Sequence, residues 1–280
     1  MTIINKISEL EIWLRVNHRD HESLGFVPTM GALHRGHLSL VRYSQADNHR
    51  TVCSIFVNPI QFNRAEDLAK YPRMPEEDIR MLEREGCDMV FLPSVEEMYP
   101  EKPRQVYRFG PLEEVMEGAF RPGHFNGVAI VVNRFFRMIR PDKAYFGLKD
   151  YQQYLIIKEM VRQDQLPVEV IGCPIVRESD GLAMSSRNLR LSEKQRATAP
   201  VIFRALSAAR DQYRSHTPES LENYILRFFA DIPECRPEYV SVANADTLQP
   251  VKHWSDARSA VVCVAAYFGE IRLIDNILLY

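Results

Sequence analysis

A strand pattern passes directly into a helix pattern in the stretch Gly25-Phe26-Val27-Pro28-Thr29-Met30-Gly31-Ala32-Leu33-His34-Arg35-Gly36-His37-Leu38. Its first four residues form a short β-rich run, and Leu38, Leu40 and Val41 begin an apolar-periodic run that is typical of a helix. Two glycines and two histidines lie between the two patterns. A strand followed by a helix is the first half of a β–α unit, so this stretch predicts an α/β fold.

The alternation of strand and helix patterns continues to about Val176. One predicted helix opens with Pro75 and three acidic residues and stops at Gly86, as helix-terminal preferences favour. Repeated β–α units predict a doubly wound, Rossmann-like parallel sheet, whose ligands bind beyond the carboxyl ends of the strands. The predicted strands are residues 25–28, 52–57, 89–92, 143–146 and 168–173; the predicted helices are residues 75–85, 127–139 and a helix from an N-cap at Asp150 through Met160.

The pattern changes after about Asp180, where helices come first and strands follow. Helices are predicted at residues 194–213 and 220–229, and strands near residues 239–243, 260–267 and 270–274, with Phe268-Gly269 as a hairpin turn. Such an order is typical of an α+β domain. We therefore expect a Rossmann-like catalytic domain over residues 1–178 and a smaller α+β domain over residues 179–280.

Charge, hydropathy and cysteine content disfavour several classes of protein. The 280 residues carry 35 basic and 37 acidic side chains, a formal net charge of −2, which disfavours a nucleic-acid-binding protein. The longest apolar run, residues 260–268, is far shorter than the about 20 residues that a membrane helix needs. The five cysteines are widely spaced and form no CxxC pair, which predicts free thiols in a reducing compartment. We expect a cytoplasmic protein with no membrane or nucleic-acid partner.

The turn between the first strand and its helix has residues suited to binding phosphate. Gly31 and Gly36 have the spacing of a P-loop, but His37 and Leu38 stand where that motif has lysine and serine or threonine, so the P-loop interpretation fails. His34 and His37 share one face of the helix start, where unpaired N–H groups and the helix dipole attract anions. Gly36 lets a phosphate approach the backbone. The two histidines could equally be metal ligands, and the residues alone leave both possibilities open.

The segment GALHRGH at residues 31–37 resembles the HIGH signature of the nucleotidyltransferase superfamily. Five further blocks, in order over most of the first 190 residues, resemble the pantoate–β-alanine ligase family. They are FVNPIQF at 56–62, YPR at 71–73, RPGHF at 121–125, YFGLKDYQQ at 145–153 and DGLAMSSRN at 180–188. The resemblance is weaker over roughly the last 90 residues.

The resemblance implies a two-step, AMP-forming ligase of pantothenate and coenzyme A biosynthesis. In the family reaction, pantoate and ATP give pantoyl adenylate and pyrophosphate, and β-alanine then displaces AMP. The implied substrates are pantoate, β-alanine and ATP, with Mg²⁺ accompanying the nucleotide. Relatives also imply a homodimer.

Roles for single residues follow from the same resemblance. His37 is implied as proton donor with His34 beside it, while Lys149 and Arg187 meet the charge of the departing pyrophosphate. Residues 184–187 resemble the family's version of the KMSKS loop. The implied ATP-binding residues are Met30, Gly31, Ala32, Leu33, His34, Arg35, Gly36, His37, Gly147, Leu148, Lys149, Asp150, Val176, Met184, Ser185, Ser186 and Arg187.

Neutral amides suit a hydroxylated acid, because each offers a donor and an acceptor and leaves no buried charge unpaired. The resemblance implies Gln61 and Gln153 as pantoate ligands, with Gln61 also near β-alanine. Asn58 is a further candidate for the substrate pocket.

A magnesium ion with ATP is held mainly by the phosphates, with at most one carboxylate from the protein. Asp78 is the expected carboxylate, with Glu77 and Asp150 as the other candidates. Glu76, Glu77 and Asp78 are equally well explained as charges that favour a helix N-terminus.

Three positions depart from the family pattern. Arg35 stands where glutamate is expected, Ile60 where threonine, alanine or methionine is usual, and Leu148 where glutamate or glutamine is common. The first two adjoin contact residues and could tune affinity. At Leu148 the side-chain contact with ATP could be absent, whereas a contact between ATP and the backbone would remain.

Four other functions compete with the ligase interpretation. A cofactor adenylyltransferase would release pyrophosphate without forming AMP. A class I tRNA synthetase needs an anticodon-binding domain, for which the chain has little room. A metal-dependent hydrolase would need a third ligand beside His34 and His37. A nucleotide-binding module would bind ATP without turnover.

Overall fold

The computed structural model describes residues 1–18 and 21–280, which form two compact units. The first unit comprises Met1–Phe109, Arg121–Leu148 and Gln153–Pro174, and the second comprises Gly110–Phe120, Lys149–Gln152 and Ile175–Tyr280. Two earlier segments thus group with the carboxyl-terminal residues, and the domain boundary between residues 178 and 179 stays a prediction.

The first unit contains a six-stranded, wholly parallel sheet with the strand order β1-β4-β3-β2-β5-β6. All five strands expected from the sequence are present, and the α/β fold class is confirmed. The sequence pattern missed β1, which has only three residues. The strands are β1 Thr2–Ile4, β2 Leu24–Thr29, β3 Arg50–Ile55, β4 Met89–Phe91, β5 Lys143–Gly147 and β6 Glu169–Cys173.

The sheet reverses its winding direction at β2, because β3 lies on one side of it and β5 on the other. The register between β2 and β3 runs to Thr29↔Ile55, whereas the register between β2 and β5 covers only Gly25↔Lys143 and Phe26↔Ala144. β2 and β5 therefore part after Phe26. Such a switch point is where doubly wound sheets bind ligands, and the histidine-containing turn follows β2 there.

The helices expected at residues 75–85, at 127–139 and from Asp150 to Met160 are present as α4 Pro75–Arg84, α7 His124–Ile139 and α8 Tyr151–Gln163, and α2 Arg35–Asp47 contains the apolar run that begins at Leu38. α7 begins three residues earlier than expected, at His124, after Gly123 with a φ of 80°. α8 begins at Tyr151, and Asp150 lies in the short 3₁₀ turn Leu148–Asp150 instead of serving as a simple N-cap. The helices described between Met1 and Gln163 are α1 Ile7–Asn17, α2 Arg35–Asp47, α3 Ala65–Ala69, α4 Pro75–Arg84, α5 Val95–Met98, α6 Met116–Phe120, α7 His124–Ile139 and α8 Tyr151–Gln163.

α2 is held against the sheet by its apolar face. Leu38, Leu40 and Val41 are buried in one cluster with Val27 of β2 and Cys53 of β3. Burying a leucine side chain contributes about 2 kcal/mol. This packing fixes the start of α2, and hence the histidines, directly beyond the end of β2.

The second unit is a three-stranded antiparallel sheet with helices packed on it. The strands are β7 Cys235–Asn244, β8 Ala260–Phe268 and β9 Ile271–Leu278; the helices are α9 Glu193–Thr198, α10 Val201–Gln212 and α11 Pro218–Ala230. The smaller α+β part of the fold prediction is confirmed.

Two predictions in the second unit were wrong in detail. The helix expected over residues 194–213 is broken at Ala199 and Pro200, because proline has no N–H for the helical ladder and its ring crowds the preceding turn. The hairpin turn is Gly269-Glu270, since Phe268 still pairs with Ile271.

The described residues contain five buried cysteines, all with free thiols, as expected. Across residues 1–18 and 21–280, no helix is long and apolar enough to cross a membrane.

Candidate active site

The turn after β2 has an unusual backbone conformation. Gly31 has a φ of 79° and Ala32 a φ of 48°, both in the left-handed region that glycine tolerates and alanine resists. A Cβ on Gly31 would lie 2.9 Å from a carboxylate oxygen of Asp78. The turn therefore needs glycine at position 31 and an external contact that holds Ala32.

Asp78 supplies that contact from the first turn of α4. Its carboxylate accepts hydrogen bonds from the backbone N–H of Ala32 at 2.9 Å and of Leu33 at 2.7 Å, one to each oxygen. The side chain is only 1% exposed, and burial raises the pKa of this carboxyl group above its usual value. Asp78 thus anchors the turn, a role that the sequence did not reveal.

His34 and His37 stack at the start of α2, with ring centroids 4.0 Å apart and an angle of 29° between the planes. His34 is the N-cap, and its Nδ1 accepts a hydrogen bond from Gly36 N–H at 3.1 Å. Nδ1 of His37 accepts from His34 N–H at 3.3 Å. Because both Nδ1 atoms act as acceptors, each neutral ring carries its proton on Nε2 and can donate from there.

Gln61 lies in the 3₁₀ turn Pro59–Gln61 and is buried. Its Nε2 donates to Sδ of Met30 at 3.0 Å, and its Oε1 accepts from Nδ2 of Asn58 at 3.0 Å. Asn58 is held in turn by the hydroxyl of Tyr99, which donates to Oδ1 at 2.9 Å. The predicted substrate residues Gln61 and Asn58 are thus brought together with Met30 of the histidine-containing turn.

α7 supports this turn through a close backbone contact. A Cβ on Gly127 would lie 2.5 Å from the carbonyl oxygen of Ile60 and 2.7 Å from Cα of Gln61, so only glycine fits. Nδ1 of His124 also hydrogen-bonds the carbonyl of Gln61 at 2.8 Å. His124 belongs to the RPGHF block at residues 121–125, but the contacts of His124 and Gly127 with the Gln61 turn were not predicted from the sequence.

The end of β5 carries the next predicted residues. A Cβ on Gly147 would meet nothing within 4 Å, so open space adjoins this strand end. A Cβ on Gly172 would lie 2.7 Å from Cδ2 of Leu148, which places the Leu148 side chain over Gly172 of β6. Leu148, which stands where the family pattern led us to expect glutamate or glutamine, therefore packs on the sheet. Gln153, on α8, is partly buried.

The other predicted phosphate-binding residues belong to the second unit. Lys149 has its ammonium nitrogen 3.6 Å from Oδ1 of Asp150, and its side chain is 18% exposed. Its carbonyl accepts a hydrogen bond from Nδ2 of Asn276 at 3.0 Å. The main chain of Lys149 is thereby tied to β9.

The KMSKS-like loop follows a small hairpin. Met184 N–H donates to the carbonyl of Val176 at 3.0 Å, and Arg177 and Ala183 form a β-bridge. Ser185 then caps the 3₁₀ turn Ser186–Arg190, its hydroxyl accepting from Arg187 N–H at 3.3 Å. The serine and arginine side chains of the loop are thereby set at the start of a turn, where N–H groups also point outward.

Arg177 and Asp275 are functional candidates that sequence reasoning missed. The guanidinium of Arg177 makes a bidentate pair with Asp275 of β9 and donates to the carbonyl of Gly181 at 3.1 Å. Asp275 is 4% exposed, and burial raises its pKa although Arg177 opposes the rise. A signal existed: β9 carries the adjacent polar residues Asp275 and Asn276 among apolar residues, with Arg272 as the other polar residue of the strand.

The described residues do not form a ready-made metal site. Among residues 1–18 and 21–280, no three histidine, cysteine, aspartate or glutamate side chains are grouped to hold a metal ion. Both oxygens of Asp78 already accept backbone N–H groups. The predicted ligation of a magnesium ion by Asp78 stays a prediction.

Comparison with known proteins identifies the family. The model for pantoate-beta-alanine ligase matches residues 2–278. The chain belongs to the pantoate–β-alanine ligase family. Membership makes it an enzyme of the ligase class, and the resemblance drawn from the sequence motifs is confirmed.

Curated members of this ligase family match the whole chain. The pantothenate synthetase of Porphyromonas gingivalis is 48% identical over 277 residues, covering 99% of each chain. That of Bacteroides thetaiotaomicron is 49% identical over 277 residues, covering 99% of this chain and 98% of the relative.

Solved structures of the ligase family share the fold. Pantothenate synthetase from Thermus thermophilus has a TM-score of 0.93 at 45% identity, with both chains covered completely. The ligase from Francisella tularensis, described as a complex with beta-gamma ATP and beta-alanine, has a TM-score of 0.81 at 32% identity and covers 100% of this chain and 98% of that one.

Proposed function

We propose that this ligase condenses pantoate with β-alanine at the expense of ATP, through a pantoyl-adenylate intermediate, with release of AMP and pyrophosphate. The observation that carries the proposal is the stacked pair of His34 and His37 at the start of α2, both with Nδ1 bonded to the backbone. Two Nε2–H donors beside a helix N-terminus at the switch point of the sheet suit a nucleotide phosphate.

In the first step, a carboxylate oxygen of pantoate attacks the α-phosphorus of ATP, and the bond from that phosphorus to the bridging oxygen breaks. Negative charge builds on the phosphoryl oxygens and on the departing pyrophosphate. Donors that already point at this charge lower the barrier most. We assign His37 as proton donor to the phosphates and His34 as its partner, with residues 30–37 as the backbone that receives the nucleotide.

Lys149 and Arg187 suit the charge of the pyrophosphate, and the hydroxyls of Ser185 and Ser186 add neutral donors. The main chain of Lys149 is fixed by Asn276, and Ser185 caps the turn that carries Arg187. Fixed groups lose little entropy when the phosphates bind. Gly147, Leu148, Asp150, Val176 and Met184 complete the proposed ATP-binding set.

Gln61, Asn58 and Gln153 are the proposed ligands for pantoate. The amide nitrogen of Gln61 donates to a methionine sulfur, which is a weak acceptor that a substrate oxygen can replace. Asn58 orients the other end of the Gln61 amide through Oε1. A hydroxyl or carboxylate oxygen of the acid can therefore meet a preset N–H donor.

In the second step, the amine of β-alanine attacks the acyl carbonyl carbon, a carbon–nitrogen bond forms, and the bond to the phosphate oxygen of AMP breaks. The amine loses a proton as the amide forms. Gln61 also lies among the proposed contacts for this amine.

Mg²⁺ is expected with ATP and would neutralise charge on its phosphates. Because the described residues offer no grouped set of ligands, we expect the nucleotide itself to hold the ion, with at most a single carboxylate such as Asp150 or Glu77 from the protein. A homodimer and a cytoplasmic location also remain predictions, which light scattering and cell fractionation test.

ATP–pyrophosphate exchange tests the proposal directly. With Mg²⁺ and without β-alanine, exchange of labelled pyrophosphate into ATP should require pantoate, because only the acyl adenylate makes the step reversible. Adding β-alanine should then release AMP. If exchange does not require pantoate, or if a product forms without release of AMP, the protein would instead be assigned as an adenylyltransferase.

The variant His37→Ala tests the proposed role of His37 in the same exchange assay. Removal of one preset donor typically costs about 100- to 1,000-fold in rate, and the exchange rate should fall by this factor while thermal unfolding stays near normal. Near-normal exchange by a folded His37→Ala protein would refute the role given to this histidine.

A further inference from the structure

A cavity with a volume of about 820 Å³ lies within the first unit, apart from the candidate active site. One face of α1, one face of α7 and the segment from Tyr99 to Gln105 line it. None of the proposed ATP or pantoate ligands is among its lining residues. We call it the α1–α7 groove.

Each of the two helices lines the groove with residues from a single face. On α1, Ile7, Glu11 and Leu14 repeat at helical spacing, with His18 at the C-cap, and on α7, Ile130 and Arg134 stand one turn apart. The apolar members supply a hydrophobic wall, as small-molecule sites usually have. A volume of this size is typical of a site for a small organic molecule.

The charge of the groove is strongly basic. Five arginines line it against two glutamates, Glu11 and Glu101. Arg137 pairs with Asp164 at 3.3 Å. The other four arginines make no ion pair within 4 Å with an acid of the described chain, and they are Arg15, Arg104, Arg134 and Arg140.

Arg134 gives the clearest indication that the groove binds an acceptor from outside the described chain. Its Nε is buried, and within the described residues nothing accepts a hydrogen bond from it. A buried donor without an acceptor is costly, especially on a charged group. The nearby hydroxyl of Tyr99, which also lines the groove, donates to Asn58 and is therefore committed elsewhere.

We propose that the α1–α7 groove is a binding site for a small organic anion, with a phosphate or carboxylate group that meets Arg134 and an apolar body that packs on Ile130, Ile139 and Leu14. A phosphate or carboxylate accepts several guanidinium N–H groups at once, and such charge-assisted bonds are the strongest in proteins. The site is separate from the histidine-containing turn, so occupancy does not require ATP.

Calorimetric titration with p-bromophenyl phosphate tests the site, because this probe combines a phosphate with an apolar ring. The protein without substrates should bind it, and more weakly at high salt. Arg134→Met keeps the apolar stem and removes the guanidinium, and it should weaken binding by about tenfold or more, the scale of a lost charge-assisted hydrogen bond. Arg162→Met is the matched control: Arg162 pairs with Glu159 on α8 outside the groove, and its loss should leave binding unchanged.

Two further variants keep the test decisive. Arg15 and Arg104 are exposed, so the double substitution Arg15→Gln and Arg104→Gln should weaken binding several-fold without disturbing the fold. His37→Ala should retain binding. Binding that survives Arg134→Met and the double substitution but is lost in His37→Ala would overturn the proposal, because the probe would then occupy the candidate active site.

Crystals with the probe give an independent answer, since bromine scatters anomalously. A bromine peak in the groove with the phosphate on Arg134 is the expected result. A groove filled by a second copy of the chain, or left without bromine at saturating probe, would overturn the proposal.

Discussion

Arg177 and Asp275 form a buried, bidentate ion pair, with Nη1 to Oδ2 at 2.5 Å and Nη2 to Oδ1 at 2.9 Å. The guanidinium also lies 4.1 Å over the ring of Phe203. Arg177 leads the hairpin before the serine-rich loop, and Asp275 precedes Asn276, which holds the carbonyl of Lys149. One strand, β9, therefore supports both proposed phosphate-binding segments of the second unit.

Asp275→Asn should damage stability and nucleotide use together. The amide keeps one acceptor but leaves the guanidinium charge buried without its counter-charge, and breaking such a pair costs about 3–5 kcal/mol. Urea unfolding should show this loss, and the KM for ATP in the exchange assay should rise because the loop and Lys149 lose their support.

Glu159→Gln is the control for this prediction. It breaks the partly exposed pair with Arg162, whose side chain is 74% exposed, and such pairs are worth about 1 kcal/mol or less. If both variants lose equal stability, or if Asp275→Asn keeps a normal KM for ATP, Arg177 and Asp275 have no positioning role.

Substitutions at His34 should distinguish its role as the N-cap of α2 from its proposed role as a hydrogen-bond donor to the phosphates. His34→Asn keeps a side-chain acceptor for the N–H groups at the start of α2, whereas His34→Ala removes it at a cost of about 1 kcal/mol. Both variants lose the Nε2–H donor. We expect His34→Asn to unfold like the unmodified protein and His34→Ala to be less stable, while both are slow in ATP–pyrophosphate exchange. Exchange that recovers with the asparagine cap would mean that His34 acts only on the helix.

Gly127→Ala should impair the use of pantoate more than the use of ATP. The added methyl group would meet the carbonyl of Ile60 at 2.5 Å and push the turn that carries Gln61. A misplacement of about 1 Å can cost about 100-fold in catalytic efficiency, so kcat/KM for pantoate should fall by about 10- to 100-fold. Gln61→Ala should likewise impair the use of pantoate more than the use of ATP, although it introduces no steric clash.

Gly147→Ala is the matched glycine variant. A methyl group there meets no protein atom within 4 Å, so the fold should be unaffected. If Gly147 lies against ATP, this variant should raise the KM for ATP and leave that for pantoate unchanged. Equal effects of both glycine variants on both substrates would argue against the separate roles.

The sequence predicted those features that depend on neighbouring residues. The strand before Gly31, the helix after His34 and four further strands each have a local hydrophobic pattern, and the structure contains them all. β1 was missed because three residues carry too little pattern. The break at Pro200 was overlooked because the surrounding alanines and arginines favour helix so strongly.

The supports of the site could not be predicted, because each joins distant parts of the chain. Asp78 reaches Leu33 across 45 residues, and Arg177 reaches Asp275 across 98. In the sequence, Asp78 looks like any acid at a helix start, and its two N–H partners become visible only when α4 packs beside β2. The motifs thus supplied the groups that we propose to touch substrate, whereas the groups that hold them become visible only in the fold.

Asp78→Asn should show what the anchor of the turn contributes. The amide has one oxygen, so its NH₂ group would face an N–H of Ala32 or Leu33 and leave it unpaired, at a cost of about 1–3 kcal/mol. Ala32 would also lose the contact that holds its positive φ. Stability and ATP–pyrophosphate exchange should both fall. Glu76→Gln, an exposed change in the same helical turn, should alter neither by a comparable amount.

The cost of Asp78→Asn should also depend on pH. Burial raises the pKa of Asp78 in the folded protein above the ordinary 3.8. At a pH between 3.8 and this raised pKa, the folded chain therefore binds more protons than the unfolded chain. The contribution of Asp78 to stability is therefore largest below 3.8 and declines as pH rises through the folded-state pKa. The stability gap between the unmodified protein and Asp78→Asn should narrow as pH rises, which urea unfolding over about pH 4 to pH 7 measures. A gap that widens with pH would mean that the two backbone hydrogen bonds outweigh burial, and that Asp78 is held as a stabilised carboxylate.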